Sequence, residues 1–135
     1  AYSPGKSVRV DPVAMAAGLA TLNQLTPDTI NHLNTLGARL KAGLNKLFSE
    51  TNTPAQAVCT GSVFSLHFTK APIRNYRDLA QTDKELLYPL FLSLLEQGYF
   101  LGHPGLGMCA LSTPMDETHI DGLIAAVGKA LATEL

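Results

Sequence analysis

A chain of 135 residues has the length of one ordinary domain and little room for two. With 46% apolar and 16% charged residues it has a folding composition, and a net charge of -1 without a Lys/Arg run gives no footprint for nucleic acid or an anionic membrane. No apolar stretch approaches the ~20 residues of a membrane span, and the opening AYSPGKSVRV lacks the apolar core of a signal peptide, so a cytoplasmic protein is expected.

Residues 1–10, with Pro4, Gly5 and Ser7, read as an irregular lead-in in which Val8 and Val10 alternate like a short strand; the domain proper is expected over 11–135. Asp11 followed by Pro12 is an N-cap and first-turn pair, opening a helix that runs to about Leu25 with Gly18 in its middle. Thr26-Pro27-Asp28 repeats the signal. The helix it opens carries Ile30, Leu33, Leu36, Leu40, Leu44, Leu47 and Phe48 at spacings of three and four, which predicts one buried stripe, and Thr51-Asn-Thr-Pro54 ends it.

From Ala57 to Phe68 the period changes to two, predicting a strand with Phe64, Leu66 and Phe68 on one face, Val63, Ser65 and His67 on the other, and Gly61 at a bulge or bend. Ala71-Pro72 and Asn75-Tyr76-Arg77-Asp78 form a connector with room for a helical turn. Thr82-Asp-Lys-Glu85 reads as a capping box ahead of an apolar helix ending before Gly98, with Pro89 predicting a kink or a later start. Tyr99-Phe-Leu101 and Met108-Cys-Ala-Leu-Ser112 read as two short strands joined by the loop 102–107, and Asp116 caps a last helix burying Ile120, Leu123, Ile124, Val127 and Leu131. The expected fold class is α/β of the α+β type, a small mainly antiparallel sheet of three to four strands covered by helices.

Few residues suggest chemistry on their own. Cys59 and Cys109 are in no C-x-x-C arrangement and are expected as two buried free thiols. His32, His67 and His119 fall on separate elements without a metal-ligand spacing, so no metal is expected, and His119 reads as a first-turn helix residue. Arg74, Tyr76 and Arg77 read as a surface cluster, and no serine sits in a G-x-S-x-G elbow.

The segment Asp11-Pro-Val-Ala-Met-Ala-Ala-Gly-Leu-Ala-Thr-Leu22 resembles the G-N-P-x-A-M-A-A-G-x-x-x-L helix that enters the small domain of class III pyridoxal-phosphate aminotransferases. It is joined in order by Val63-Phe-Ser-Leu-His-Phe-Thr69, Asn75-Tyr76-Arg77-Asp78, Asp83…Leu87-Tyr88-Pro-Leu-Phe91, Leu94-Leu95-Glu-Gln-Gly98 and Thr118-His-Ile-Asp121. These are similar to the closing segments of the glutamate-1-semialdehyde aminomutase branch and its amino-acid aminotransferase relatives, and they cover nearly all of the chain from Asp11.

The resemblance implies the C-terminal small domain of a fold type I enzyme, closing the substrate side of a cleft whose pyridoxal phosphate is held by a large domain or second subunit. A homo-oligomer is expected. The family's cofactor lysine, pyridine-facing aspartate and phosphate cup lie upstream of the G-N-P helix, where this sequence has ten residues. No cofactor site or catalytic residue is therefore expected in this chain alone, Lys6 being read as solvated and Ser7 and Arg9 not as phosphate contacts. The substrate-side loop is expected at His103, Gly105 and Met108. Two other readings compete: a non-catalytic self-association module with a bared apolar face, and an unrelated enzyme pairing Cys109 with His103.

Overall fold

The structure is a computed structural model and describes residues 11–102 and 108–134, with Gln81 and Glu134 described by their backbone alone. The elements run α1 (Pro12–Gln24), α2 (Pro27–Glu50), β1 (Gln56–Thr60), β2 (Val63–His67), a 3-10 helix (Tyr76–Gln81), α3 (Leu87–Glu96), β3 (Cys109–Ala110) and α4 (Glu117–Glu134). Two compact units divide the chain, residues 1–32 and 33–135.

In the first unit, the Asp11 carboxylate accepts from the backbone N–H of Val13 and Pro12 stands at the first helical position, so α1 begins where the cap and proline place it. The helix contains no acidic or basic residue and buries none of its side chains; Val13, Met15, Leu19 and Leu22 are all exposed. Thr26 opens α2 by accepting from the N–H of Thr29. Ile30, expected in the buried stripe, is exposed.

The second unit is built on the rest of α2. Leu36, Leu40 and Leu44 are at most 1% exposed, and burying each such side chain is worth about 1.5–3 kcal/mol. The segment expected as one strand with a bulge is instead a hairpin. Thr60 pairs with Val63, so Gly61 and Ser62 form a two-residue turn, and Gly61 takes φ +58, which glycine adopts without steric cost. The register of β1 with β2 and of β2 with β3 puts Ala57, Cys59, Phe64, Leu66 and Cys109 on one face, toward the core. The sheet is three-stranded and antiparallel, in the order β1-β2-β3. Both thiols are free but half-buried, a correction to the burial expected of them, because Cys59 and Cys109 lie on its two edge strands.

Two polar groups fix α2 to the hairpin. Asn45 donates to the Ala57 carbonyl (3.2 Å) and accepts from the Ala57 N–H (2.9 Å), pairing a residue of edge strand β1 that would otherwise stand open. Gly37 meets the Gly61 carbonyl so closely that a Cβ there would overlap it. On its other flank α2 packs on α4, with Ile124 seated over Gly43, Leu47 against Gly128, and Arg39 gripping both oxygens of Asp121 at 2.8 Å.

The capping box expected at Thr82–Glu85 does not form. Thr82 Oγ1 is buried without a partner, Asp83 accepts from the Glu85 N–H and pairs with Phe68, and α3 begins later, at Leu87. Pro89 then falls in the first turn, where a missing N–H costs nothing. Tyr99–Leu101 is not a strand. The Tyr99 N–H bonds to the Leu94 carbonyl and that of Gly98, at φ +86, to Leu95, so this backbone closes the end of α3. The observed order is thus helix, helix, two strands, 3-10 helix, helix, strand, helix rather than the one read from periodicity. The expected cap of α4 is present, and Ile120, Leu123 and Val127 are buried with Ala126 and Ala130, while Ile124 and Leu131 are half-buried.

The Gly37–Gly61 contact leads to a test. Gly37→Ala should destabilise the chain by about 1–3 kcal/mol, read as a lower urea midpoint, because backbone must move to admit the methyl. Gly18→Ala, where a Cβ meets nothing within 4 Å, should leave the midpoint unchanged or raise it by up to about 1 kcal/mol. Equal effects at the two positions would show that helix propensity, not the close approach, governs Gly37.

Candidate functional site

A cavity of about 450 Å³ opens where the end of α3 fails to pair with β3. Its floor is Phe64 of β2, one wall is the segment 99–102, another is β3 with Leu111, and the first turns of α4 close it with Ile120 and Leu123. This volume lies in the ordinary range of small-molecule sites. Among the described residues no Lys, Arg, Asp or Glu lines it, and the polar groups in the lining are the Tyr99 hydroxyl, the Cys109 thiol and the His119 imidazole.

Each of these groups is held by local structure. Tyr99 lies with its hydroxyl against Gly122, where no larger residue would leave room for it. His119 is fixed by the cap of α4: its Nδ1 is 2.7 Å from Asp116 Oδ1, which also accepts from the Thr118 hydroxyl at 2.6 Å and the Thr118 N–H at 2.9 Å. These bonds, the Thr118 hydroxyl first and the His119 side chain next, hold the Asp116 carboxyl well below the usual carboxylate range. With Nδ1 donating to a carboxylate, a neutral imidazole keeps Nε2 as its acceptor.

Of the residues expected on the substrate side, Met108 lines this cavity and is 66% exposed, while His103 and Gly105 lie outside the described residues. Lys6, Ser7, Arg9 and the Val8–Val10 strand lie outside them too, as does the partner proposed for Cys109. Arg74, Tyr76 and Arg77 are exposed. His32 sits exposed on α2, and His67 is half-buried with Nε2 2.8 Å from Ser65 Oγ, burial lowering its pKa. Burial pushes the Cys59 thiol up, the opposite of an activated nucleophile.

Sequence reasoning missed Tyr99 and His119, which line the same cavity as Met108. The spacing of Asp116 and His119 within one helix start was readable; their approach to residues 99–102 depends on tertiary packing. A second hollow, about 560 Å³ between the segment 51–54 and Leu131, has no titratable side chain among the described residues of its lining, and a third of about 50 Å³ beside Ser65 and Phe91 is too small for a substrate. Among the described residues, no helix is long and apolar enough to cross a membrane.

No protein-family model matches the chain. Over 123 residues, 90% of its length, it is 36% identical to a glutamate-1-semialdehyde 2,1-aminomutase of Thermus thermophilus. Its backbone superposes on the β-phenylalanine aminotransferase of Variovorax paradoxus with a TM-score of 0.81 at 31% identity, covering 98% of this chain and 31% of that one. It also superposes on a glutamate-1-semialdehyde aminomutase of Pseudomonas aeruginosa in complex with PMP, with a TM-score of 0.82 at 20% identity, covering 100% and 32%, a likeness of fold. The chain spans about 29% of the length of the curated relatives it matches.

A helix-covered antiparallel sheet matched end to end by one part of these enzymes places the chain in the class III pyridoxal-phosphate-dependent aminotransferases, as their C-terminal domain. In sequence it stands beside the glutamate-1-semialdehyde 2,1-aminomutases.

The described residues do not by themselves fit pyridoxal phosphate. Lys41, Lys46, Lys70, Lys84 and Lys129 are all exposed and none lines the cavity, whereas a lysine that reacts with a carbonyl at neutral pH has to be desolvated or held near another positive charge.

The cap that orients His119 titrates. Because folding depresses the Asp116 pKa, its stabilisation is complete above the unfolded value of about 3.9 and is lost as pH falls below it. The gap in Tm between the wild type and Asp116→Asn should be open at pH 7 and close below about pH 4. A gap independent of pH would mean that the carboxylate charge is not what secures α4.

Proposed function

We propose that residues 11–135 act as the substrate-side small domain of an aminotransferase or aminomutase that uses pyridoxal phosphate, with the cofactor held by a larger domain or a second subunit. What carries this reading is α1. Thirteen residues without a charge, with large apolar side chains at Val13, Met15, Leu19 and Leu22 and nothing buried, make a helix that water does not favour. The match to about 29% of each relative supports a larger body against which such a helix would lie. The relatives' names supply the reaction class, transfer of an amino group, and the cavity beside Met108 supplies a wall for the substrate. The assembled protein is proposed as a cytoplasmic homo-oligomer.

In that assembly the chain contributes position rather than bond-making. Pyridoxal phosphate, when bound by the larger body, supplies the electron sink for amino-group transfer. The small domain supplies a rigid apolar wall, excludes water and orients the substrate side chain. Self-association through α1 is the second reading, favoured by the same exposed apolar residues.

A chimera tests the proposal. Residues 11–135 replace the matched segment of the Thermus thermophilus aminomutase, and cofactor binding and amino-group transfer are measured. Retained transfer is expected; a folded chimera that binds the cofactor but transfers no amino group would overturn the reading. The 135-residue chain alone, incubated with pyridoxal phosphate, reduced with borohydride and mapped, should show no single stoichiometrically labelled lysine.

A further inference from the structure

Resting on the reading that this wall faces substrate, we infer that the cavity selects an amine or amino acid whose side chain is an apolar group of aryl size, and rejects one bearing a second carboxylate. The lining carries the inference. Phe64, Leu101, Leu111, Ile120 and Leu123 present hydrocarbon around a space of about 450 Å³, room for a phenyl ring with its attached carbons. An aryl group that enters such a space loses unfavourable contact with water, whereas a carboxylate gives up hydration and must find a cation.

Among the described residues the lining has no Lys or Arg. Its one basic side chain, His119, already lies 2.7 Å from the Asp116 carboxylate, so a substrate carboxylate brought to it would meet an anion of the same sign. Arg39, which reaches α4 from α2, is taken up by Asp121 and Glu117 on the outer surface, and Lys129 of α4 is exposed and outside the lining. The polar atoms left are the Tyr99 hydroxyl and His119 Nε2, groups suited to orienting a ligand.

The experiment uses the 135-residue chain with labelled methyl groups. It is titrated separately with 3-amino-3-phenylpropanoate and with L-glutamate while the Met108 and Met115 signals are followed. Saturable shifts with the aryl probe and none with glutamate are expected. Met108→Trp, which fills the cavity from its exposed side, should weaken the aryl response by about tenfold or more while distant signals keep their positions, the sign of an intact fold. Equal shifts with both probes, shifts with glutamate alone, no saturable shift with either, or an aryl response untouched by Met108→Trp would each overturn the inference. Because this readout needs neither cofactor nor turnover, it fails independently of the chimera: an active chimera with a silent cavity removes the substrate class and leaves the domain's role standing.

Discussion

Gly37 has no side chain because the carbonyl of Gly61 occupies the place where one would begin. That contact fixes the depth at which the hairpin turn enters α2, and the rest of the second unit is laid out from it. With the turn seated, Asn45 reaches Ala57 two helical turns further on and closes the outer edge of β1, so the strand is held at both ends by the same helix. The register then turns Phe64 and Leu66 inward against Leu36, Leu40 and Leu44. A hydrophobic core alone does not choose one depth over another; a backbone contact without room for a methyl does.

The cavity follows from a competition for backbone hydrogen bonds. Residues 99–101 have the aromatic and branched composition of a strand and lie near β3, yet the Tyr99 N–H goes to the Leu94 carbonyl, as that of Gly98 goes to Leu95. A helix end leaves carbonyls that must be satisfied, and Gly98 in the left-handed conformation turns the chain back over them. Once those donors are committed, β3 remains an edge of only two residues and a space opens between it and the segment 99–102. The aromatic side chains that would have stacked on a wider sheet line that space instead.

Much of this was legible before the fold was known. The caps at Asp11, Thr26 and Asp116 and the stripe of α2 follow from local chemistry and the 3.6-residue period, and the resemblance to the aminotransferases rests on motifs that survive in order. What misread was non-local. Gly61 was placed at a bend because a glycine within an alternating run suits a bulge and a tight hairpin equally, and only the pairing of Thr60 with Val63 decides between them. The capping box at Thr82 fits its pattern but loses to Asp83, which pairs with Phe68, just past the end of β2. Tyr99–Leu101 has strand composition overruled by the helix before it. At the cavity, Met108 was singled out through its loop, whereas Tyr99 and His119 were not, since their meeting depends on tertiary packing.

The distribution of charge explains why shape, rather than ion pairing, governs this wall. The unit does not lack ionic contacts, but it places them outside: Arg39 spans Asp121 and Glu117 on the α2–α4 surface, and Lys46 faces Glu50 along α2. Those pairs are exposed and add little stability, so their placement is not forced by folding. At the cavity, His119, itself an exposed side chain, carries a counter-charge with it in the Asp116 carboxylate. An unpaired cation beside Phe64 and Leu111 would lose hydration without a partner until a ligand arrived, and a domain of this size has little stability to spare for it. Satisfying the helix cap and leaving the cavity uncharged are therefore one arrangement, in which the carboxylate that starts α4 also withholds its histidine from acting as a free cation.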